Sequence, residues 1–126
     1  MAGEQVLVVE DNDKNMKLFR DVLVASGYRT LEATTGGQAV ELAAEHAPDL
    51  VLMDIELPDI DGLETLSRLR ADERTASIPV LALTAQAMHG DRERFLAAGF
   101  DDYISKPVNV LELVDTVRQH CDGGDG

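Results

Sequence analysis

Five short apolar runs alternate with five helical stretches along this chain, and a polar or glycine-bearing turn follows each run. That alternation predicts an α/β fold, a parallel sheet with helices on both faces and right-handed crossovers. Two runs, residues 50–54 (LVLMD) and 80–84 (VLALT), are apolar up to their last residue, as expected of strands buried on both faces. Five βα units in 126 residues fit a three-layer, flavodoxin-like (βα)5 arrangement with strand order 2-1-3-4-5.

The elements read as follows. Residues 5–9 (QVLVV) form the first strand, and Glu10, Asp11, Asn12 and Asp13 follow at once. Met16, Phe19, Val22 and Leu23 recur at helical spacing, and Gly27 stands where a C-terminal cap is expected. Residues 28–33 alternate enough for a second strand nearer an edge, and Thr34, Thr35, Gly36 and Gly37 read as a turn. Ala39, Val40, Ala43 and Ala44 mark a second helix, closed by Ala47 and Pro48. Residues 50–54 are the central strand, and residues 57–62 (LPDIDG) a loop. Leu63, Leu66 and Leu69 give a third helix; residues 72–77 are a polar connection ended by Pro79. The fourth strand, 80–84, stops at a hydroxyl. Met88, Phe95, Leu96 and Ala98 suggest a fourth helix, with Gly90 weakening its first turns and Gly99 capping it. Residues 102–105 (DYIS) make a short fifth strand ending in Lys106-Pro107. The last helix points Val110, Leu113, Val114 and Val117 inward, with Asn109 as its cap and Glu112 reaching back. One domain is expected over residues 1–121, with a flexible tail at 122–126.

Composition narrows the function. The 24 acidic residues against 11 basic ones give a net charge of −13, which repels nucleic-acid phosphates and anionic lipid. No apolar run approaches the roughly 18 residues of a membrane span, and residues 1–5 lack the basic start of a secretory signal. A single cysteine, Cys121, excludes an internal disulfide, so a cytoplasmic protein is expected. His46, His89 and His120 read as surface residues, and Cys121, Met16, Met53 and Met88 as packing or interface residues. The chain has no P-loop, no GxGxxG and no nucleophile elbow, which argues against nucleotide binding and hydrolase chemistry.

The chemistry gathers where the strands end. In a parallel sheet these carboxyl ends lie side by side. They bring together Glu10 and Asp11, Asp54 with Glu56 just beyond, Thr84, and Lys106. Clustered carboxylates repel one another, and a hard divalent cation removes that repulsion. Mg²⁺ suits the set, because it takes one or two protein carboxylates and keeps waters for a phosphate to replace. Asp11 and Asp54 are the candidate direct ligands, the Glu56 backbone carbonyl a third, and Glu10 acts through water. Asp54 is then a candidate nucleophile toward a phosphoryl group. Lys106 supplies a cation, Thr84 a hydroxyl, and the backbone N–H groups after Asp54 the remaining donors.

The segments Val8-Val9-Glu10-Asp11-Asn12, Leu52-Met53-Asp54-Ile55-Glu56-Leu57-Pro58 with Asp61-Gly62, Ala82-Leu83-Thr84-Ala85 and Ser105-Lys106-Pro107 carry a resemblance. Together they resemble the response-regulator receiver domains of two-component signalling over nearly the whole chain. Residues 15–19 and 84–88 further resemble the DivK-type stand-alone regulators of bacterial cell-cycle control, although receivers of hybrid kinases carry a similar Thr-Ala-x-Ala-Met segment.

The resemblance implies that Asp54 takes a phosphoryl group from a histidine kinase or histidine phosphotransfer protein, with Mg²⁺ at Asp11, Asp54 and the Glu56 carbonyl and Glu10 assisting. It implies that Thr84 and Lys106 contact the phosphoryl group, that Tyr103 is the switch aromatic, and that the Lys106–Pro107 bond is cis. Phosphorylation would draw Thr84 toward Asp54 and let Tyr103 turn inward. The helix 4–strand 5–helix 5 face would then change shape for a downstream protein partner. Phosphoryl turnover would be limited to the protein's own aspartate. Two alternatives stand: a Mg²⁺-dependent phosphatase with an aspartyl-phosphate intermediate, in which Glu56 is the second acid, and a receiver belonging to a hybrid kinase.

Overall fold

The computed structural model describes residues 3–57, 59–85 and 91–122. Five strands alternate with five helices: β1 (Gln5–Val9), α1 (Asp13–Ala25), β2 (Arg29–Ala33), α2 (Gly36–His46), β3 (Leu50–Asp54), α3 (Gly62–Ala71), β4 (Val80–Thr84), α4 (Asp91–Ala98), β5 (Asp102–Ser105) and α5 (Val110–Asp122). The strands form one parallel sheet in the order β2-β1-β3-β4-β5. The flavodoxin-like topology expected from the alternation is the one observed.

Strand alternation divides the core in two. Val6, Val8, Leu50, Leu52, Leu81, Leu83 and Ile104 pack against Met16, Phe19 and Leu23 of α1 and Leu113 and Val117 of α5. Leu7, Val9, Val51, Met53, Val80 and Ala82 pack on the other face against Ala39 and Ala43 of α2, Leu66 and Leu69 of α3, and Phe95 of α4. Every residue of β3 and β4 is buried, which is why these strands read as unbroken apolar runs. Each large side chain so covered contributes about 1.5–3 kcal/mol of hydrophobic stabilisation.

Helix ends follow side-chain capping. Asn12 Oδ1 accepts from the N–H groups of Lys14 and Asn15 at the start of α1, and Asp61 Oδ1 from Glu64 at the start of α3. Asn109 Oδ1 accepts from Glu112 N–H, so it caps α5 as expected. Gly27 follows the Ser26 cap of α1 with φ 95°, and Gly99 follows α4 with φ 114°.

Four expectations are corrected. Gly36 and Gly37 are the first turn of α2 rather than part of the preceding turn, because Thr35 caps that helix. A Cβ at Gly36 would lie 2.3 Å from Thr65 Oγ1 and 2.5 Å from Ile60 Cγ1, so close approach of α3 explains that glycine. Val110 and Leu63 face solvent at 42% and 40% exposure: Val110 is the first residue of its helix, and Leu63 stands off the inner face of α3, which Gly62, Thr65, Leu66 and Leu69 form. In α4, Phe95 is buried while Leu96 and Ala98 are exposed. His120 is half-buried rather than superficial, with Nε2 3.2 Å from Asp102 Oδ2 of β5. Met88, Gly90 and His89 lie outside the described residues, as do residues 123–126 of the expected tail; α5 itself runs through Asp122.

Candidate metal and phosphoryl site

The carboxyl ends of β1, β3, β4 and β5 converge. Asp54 closes β3, and its side chain is 5% exposed. Its Oδ2 accepts a hydrogen bond from Lys106 Nζ at 2.6 Å, and its Oδ1 accepts one from the Glu56 N–H at 2.9 Å. Both oxygens of the central carboxylate are therefore held, one by a cation and one by the chain that follows it.

Glu10, at the end of β1, is the most deeply buried acid of the group, at 1% exposure. Its Oε2 accepts from Asn12 N–H, while its Oε1 makes no hydrogen bond and sits 3.5 Å from Lys106 Nζ. Burial pushes the Glu10 carboxyl up to about 6; the Asn12 N–H opposes this, the charge of Asp54 adds to it, and Lys106 opposes it. Burial also works against the charge on Lys106, yet the hydrogen bond and charge of Asp54, with Glu10 behind them, hold the amine above its ordinary range. Lys106 thus serves two acids at once. The Lys106–Pro107 peptide is cis.

Asp11 completes the acid set from an exposed position. Carboxylate oxygens of Glu10, Asp11 and Asp54 lie within 4.8 Å of one another. The site fits a divalent cation on two grounds: three acids share a space with one amine, and one buried carboxylate oxygen has no hydrogen bond. Glu56 is exposed and its carboxylate is outside that cluster; its N–H faces Asp54.

Thr84 ends β4 at 3% exposure and pairs with Ser105 in register, as Ala82 pairs with Tyr103. Alternation places Thr84 on the face of Ala82, the same face on which the half-buried Tyr103 ring packs. That ring lies 6.1 Å from Phe95 of α4, centroid to centroid. A groove of about 490 Å³ opens on the other flank, lined by Asn15, Leu18, Phe19, Ala85, Lys106, Pro107 and Val108. A larger depression of about 630 Å³, between Arg68 and Arg74, belongs to the C-terminal end of α3 and to none of these groups.

Residues 6–118 match the family model described as the response regulator receiver domain. The chain belongs to that family. Receiver domains are signalling proteins, and this one shares 50% identity over 117 residues with the polar-differentiation response regulator DivK of Brucella ovis, covering 93% of this chain and 95% of that relative. The receiver domain of a sensor histidine kinase from Pseudomonas aeruginosa, solved with a magnesium ion coordinated in its active-site cleft, superposes with a TM-score of 0.88 at 39% identity, covering 96% of this chain and 99% of the other. The receiver domain of Ssk1 from Saccharomyces cerevisiae, crystallised with the histidine phosphotransfer protein Ypd1, superposes with a TM-score of 0.85 at 28% identity, over 94% and 89% of the two chains. Among the described residues no helix of this receiver is long and apolar enough to cross a membrane.

The strand ends bring Glu10, Asp11, Asp54 and Lys106 together as expected, and two further residues that the sequence did not single out support the site. Asn12 both caps α1 and holds Glu10; an Asn directly before a helix was the available signal. Asp59 reaches from the β3–α3 loop to the start of α2, a contact that no local pattern announces.

Proposed function

We propose that this chain is a phosphorylation-controlled switch whose acceptor is Asp54. The observation that carries the reading is the pairing of a buried strand-end aspartate with Lys106 at 2.6 Å beside two further acids. Asp11 and Asp54, with the Glu56 carbonyl, would hold Mg²⁺, and Glu10 would act through water. Bound there, the ion supplies positive charge that lets a carboxylate meet a phosphoryl group.

One oxygen of Asp54 attacks the phosphorus of a phosphohistidine on a histidine kinase or phosphotransfer protein. The new O–P bond forms as the N–P bond breaks, and the histidine leaves with the bonding pair. Lys106, already held beside Asp54, and the Glu56 N–H meet the charge on the phosphoryl oxygens. The donor docks over the groove lined by Asn15, Leu18 and Val108, which opens beside Lys106. Thr84 then moves toward the phosphoryl group, Tyr103 follows on the same face, and the α4–β5–α5 face is remade for a protein partner. Residues 1–121 form the working unit, acting in the cytoplasm.

The 50% identity with the DivK relative supports a regulator of the DivK type. The likeness to a kinase receiver supports a second reading, in which the group is passed onward in a relay. Retention of the label when a phosphotransfer protein is added favours the first, and forward transfer the second. Incubation with acetyl phosphate and Mg²⁺ tests the common core. One phosphoryl group per chain is expected, with none in EDTA and no sustained turnover of small phosphate esters; such turnover would instead support the phosphatase.

A further inference from the structure

The loop that follows Asp54 carries the N–H that holds Asp54 Oδ1 and the carbonyl proposed as a metal ligand, both on Glu56. The loop's inner end is fixed: Ile55 N–H donates to Leu83 O, and Ile55 O accepts from Gly62 N–H. Its outer limb crosses to a different helix. Asp59 Oδ1 accepts from Gly36 N–H at 2.8 Å, and Asp59 Oδ2 from Gly37 N–H at 2.9 Å. Both oxygens of one carboxylate are thus spent on the first two N–H groups of α2, a helix that contributes no residue to the acid cluster. The contact is tight, since a Cβ on Gly37 would approach Asp59 Oδ2 to 3.2 Å, and Ile60 beside it fills the space against Gly36.

We propose that Asp59 is a positioning residue for the metal site. It acts through Glu56, tethering the outer limb of the loop to α2 so that the Glu56 backbone stays aligned with Asp54. This rests on the phosphoryl-acceptor reading above. Outer partners of metal sites commonly set affinity without touching the ion.

The test is a Mg²⁺ titration by isothermal calorimetry of wild type, Asp59→Ala and Asp59→Asn, with urea unfolding in EDTA alongside. Asp59→Ala is expected to weaken Mg²⁺ binding by about tenfold, the low end for such partners. Asp59→Asn keeps one acceptor oxygen and should fall between alanine and wild type. Raising Mg²⁺ should restore phosphoryl uptake in both variants, which a loss of folded protein would not allow. Unchanged Mg²⁺ affinity in folded Asp59→Ala would overturn the proposal, leaving Asp59 a cap of α2 only. Should that variant not fold, the asparagine variant decides by the same criterion. A wild type that binds no Mg²⁺ would overturn the metal-site reading itself, and this inference with it.

Discussion

Lys106 Nζ lies 2.6 Å from Asp54 Oδ2 and 3.5 Å from Glu10 Oε1, so one amine from the end of β5 balances two buried acids from β3 and β1. Removing the amine leaves that charge uncompensated. Lys106→Met is expected to lose about 1–3 kcal/mol of stability in EDTA, the cost of stranding charged groups whose partner is gone. Mg²⁺ should return part of that loss by supplying the missing charge. Urea unfolding with and without the ion measures both effects.

Ligand linkage gives a second expectation. A cation bound by the folded acid cluster raises stability by about 1.4 kcal/mol when present at tenfold its dissociation constant. Thermal unfolding of the wild type should therefore shift upward with Mg²⁺. Asp11→Asn should remove most of that shift, because Asp11 is the exposed member of the acid cluster and a candidate direct ligand of the ion.

Thr84 and Tyr103 share one face of the sheet, and the Tyr103 ring touches α4 through Phe95. Thr84→Ala should slow phosphoryl uptake by less than about tenfold, since one hydrogen bond is worth about 0.5–1.5 kcal/mol. It should nevertheless abolish the phosphorylation-dependent change at Tyr103. Side-chain NMR reads that change, with Tyr28, buried near β2, as the internal reference.

Gly36→Ala pits two effects against each other. Alanine favours a helix over glycine by about 1 kcal/mol, but the new Cβ would collide with Thr65 Oγ1 at 2.3 Å. Overpacking of this kind costs about 1–3 kcal/mol, so the net result is a loss. Chemical denaturation should show lower stability; a gain would mean that α3 yields freely.

The acid limb of stability depends in part on Asp59. The N–H groups of Gly37, Ile60 and Gly36 lower its carboxyl from 3.8 to about 2. A group depressed in the folded state contributes fully above its unfolded value, and that contribution fades as pH falls through the folded value. Asp59→Asn should therefore flatten the pH dependence of unfolding between about 4 and 2. Above that window its deficit should be constant. Thermal melts across pH 2–7 check the slope.

The strand core was legible because it depends on local apolar patterning, and the candidate site because its residues stand at the ends of those strands. A run such as Leu50–Asp54 is apolar because both faces are covered, and its terminal acid is visible as a break in that run. The order of the strands then brings Glu10, Asp54, Thr84 and Lys106 together without further information. What sequence alone left unread depends on contacts between distant elements. Gly36 looks like a turn residue until α3 is placed against it. Asp59 looks like loop polarity until its 22- and 23-residue reach to α2 is seen. His120 looks superficial until Asp102 of the neighbouring strand stands beside it. Val110 and Leu63 match an apolar period, yet Val110 opens its helix at the surface and Leu63 stands off the face of α3 that Gly62, Thr65, Leu66 and Leu69 bury.

Intact mass spectrometry of wild type and Asp54→Asn after exposure to acetyl phosphate and Mg²⁺ tests the central claim most directly. The account predicts one phosphoryl group on the wild type, mapped to the peptide containing Asp54, and none on the variant. Phosphorylation of Asp54→Asn to the wild-type extent would contradict it.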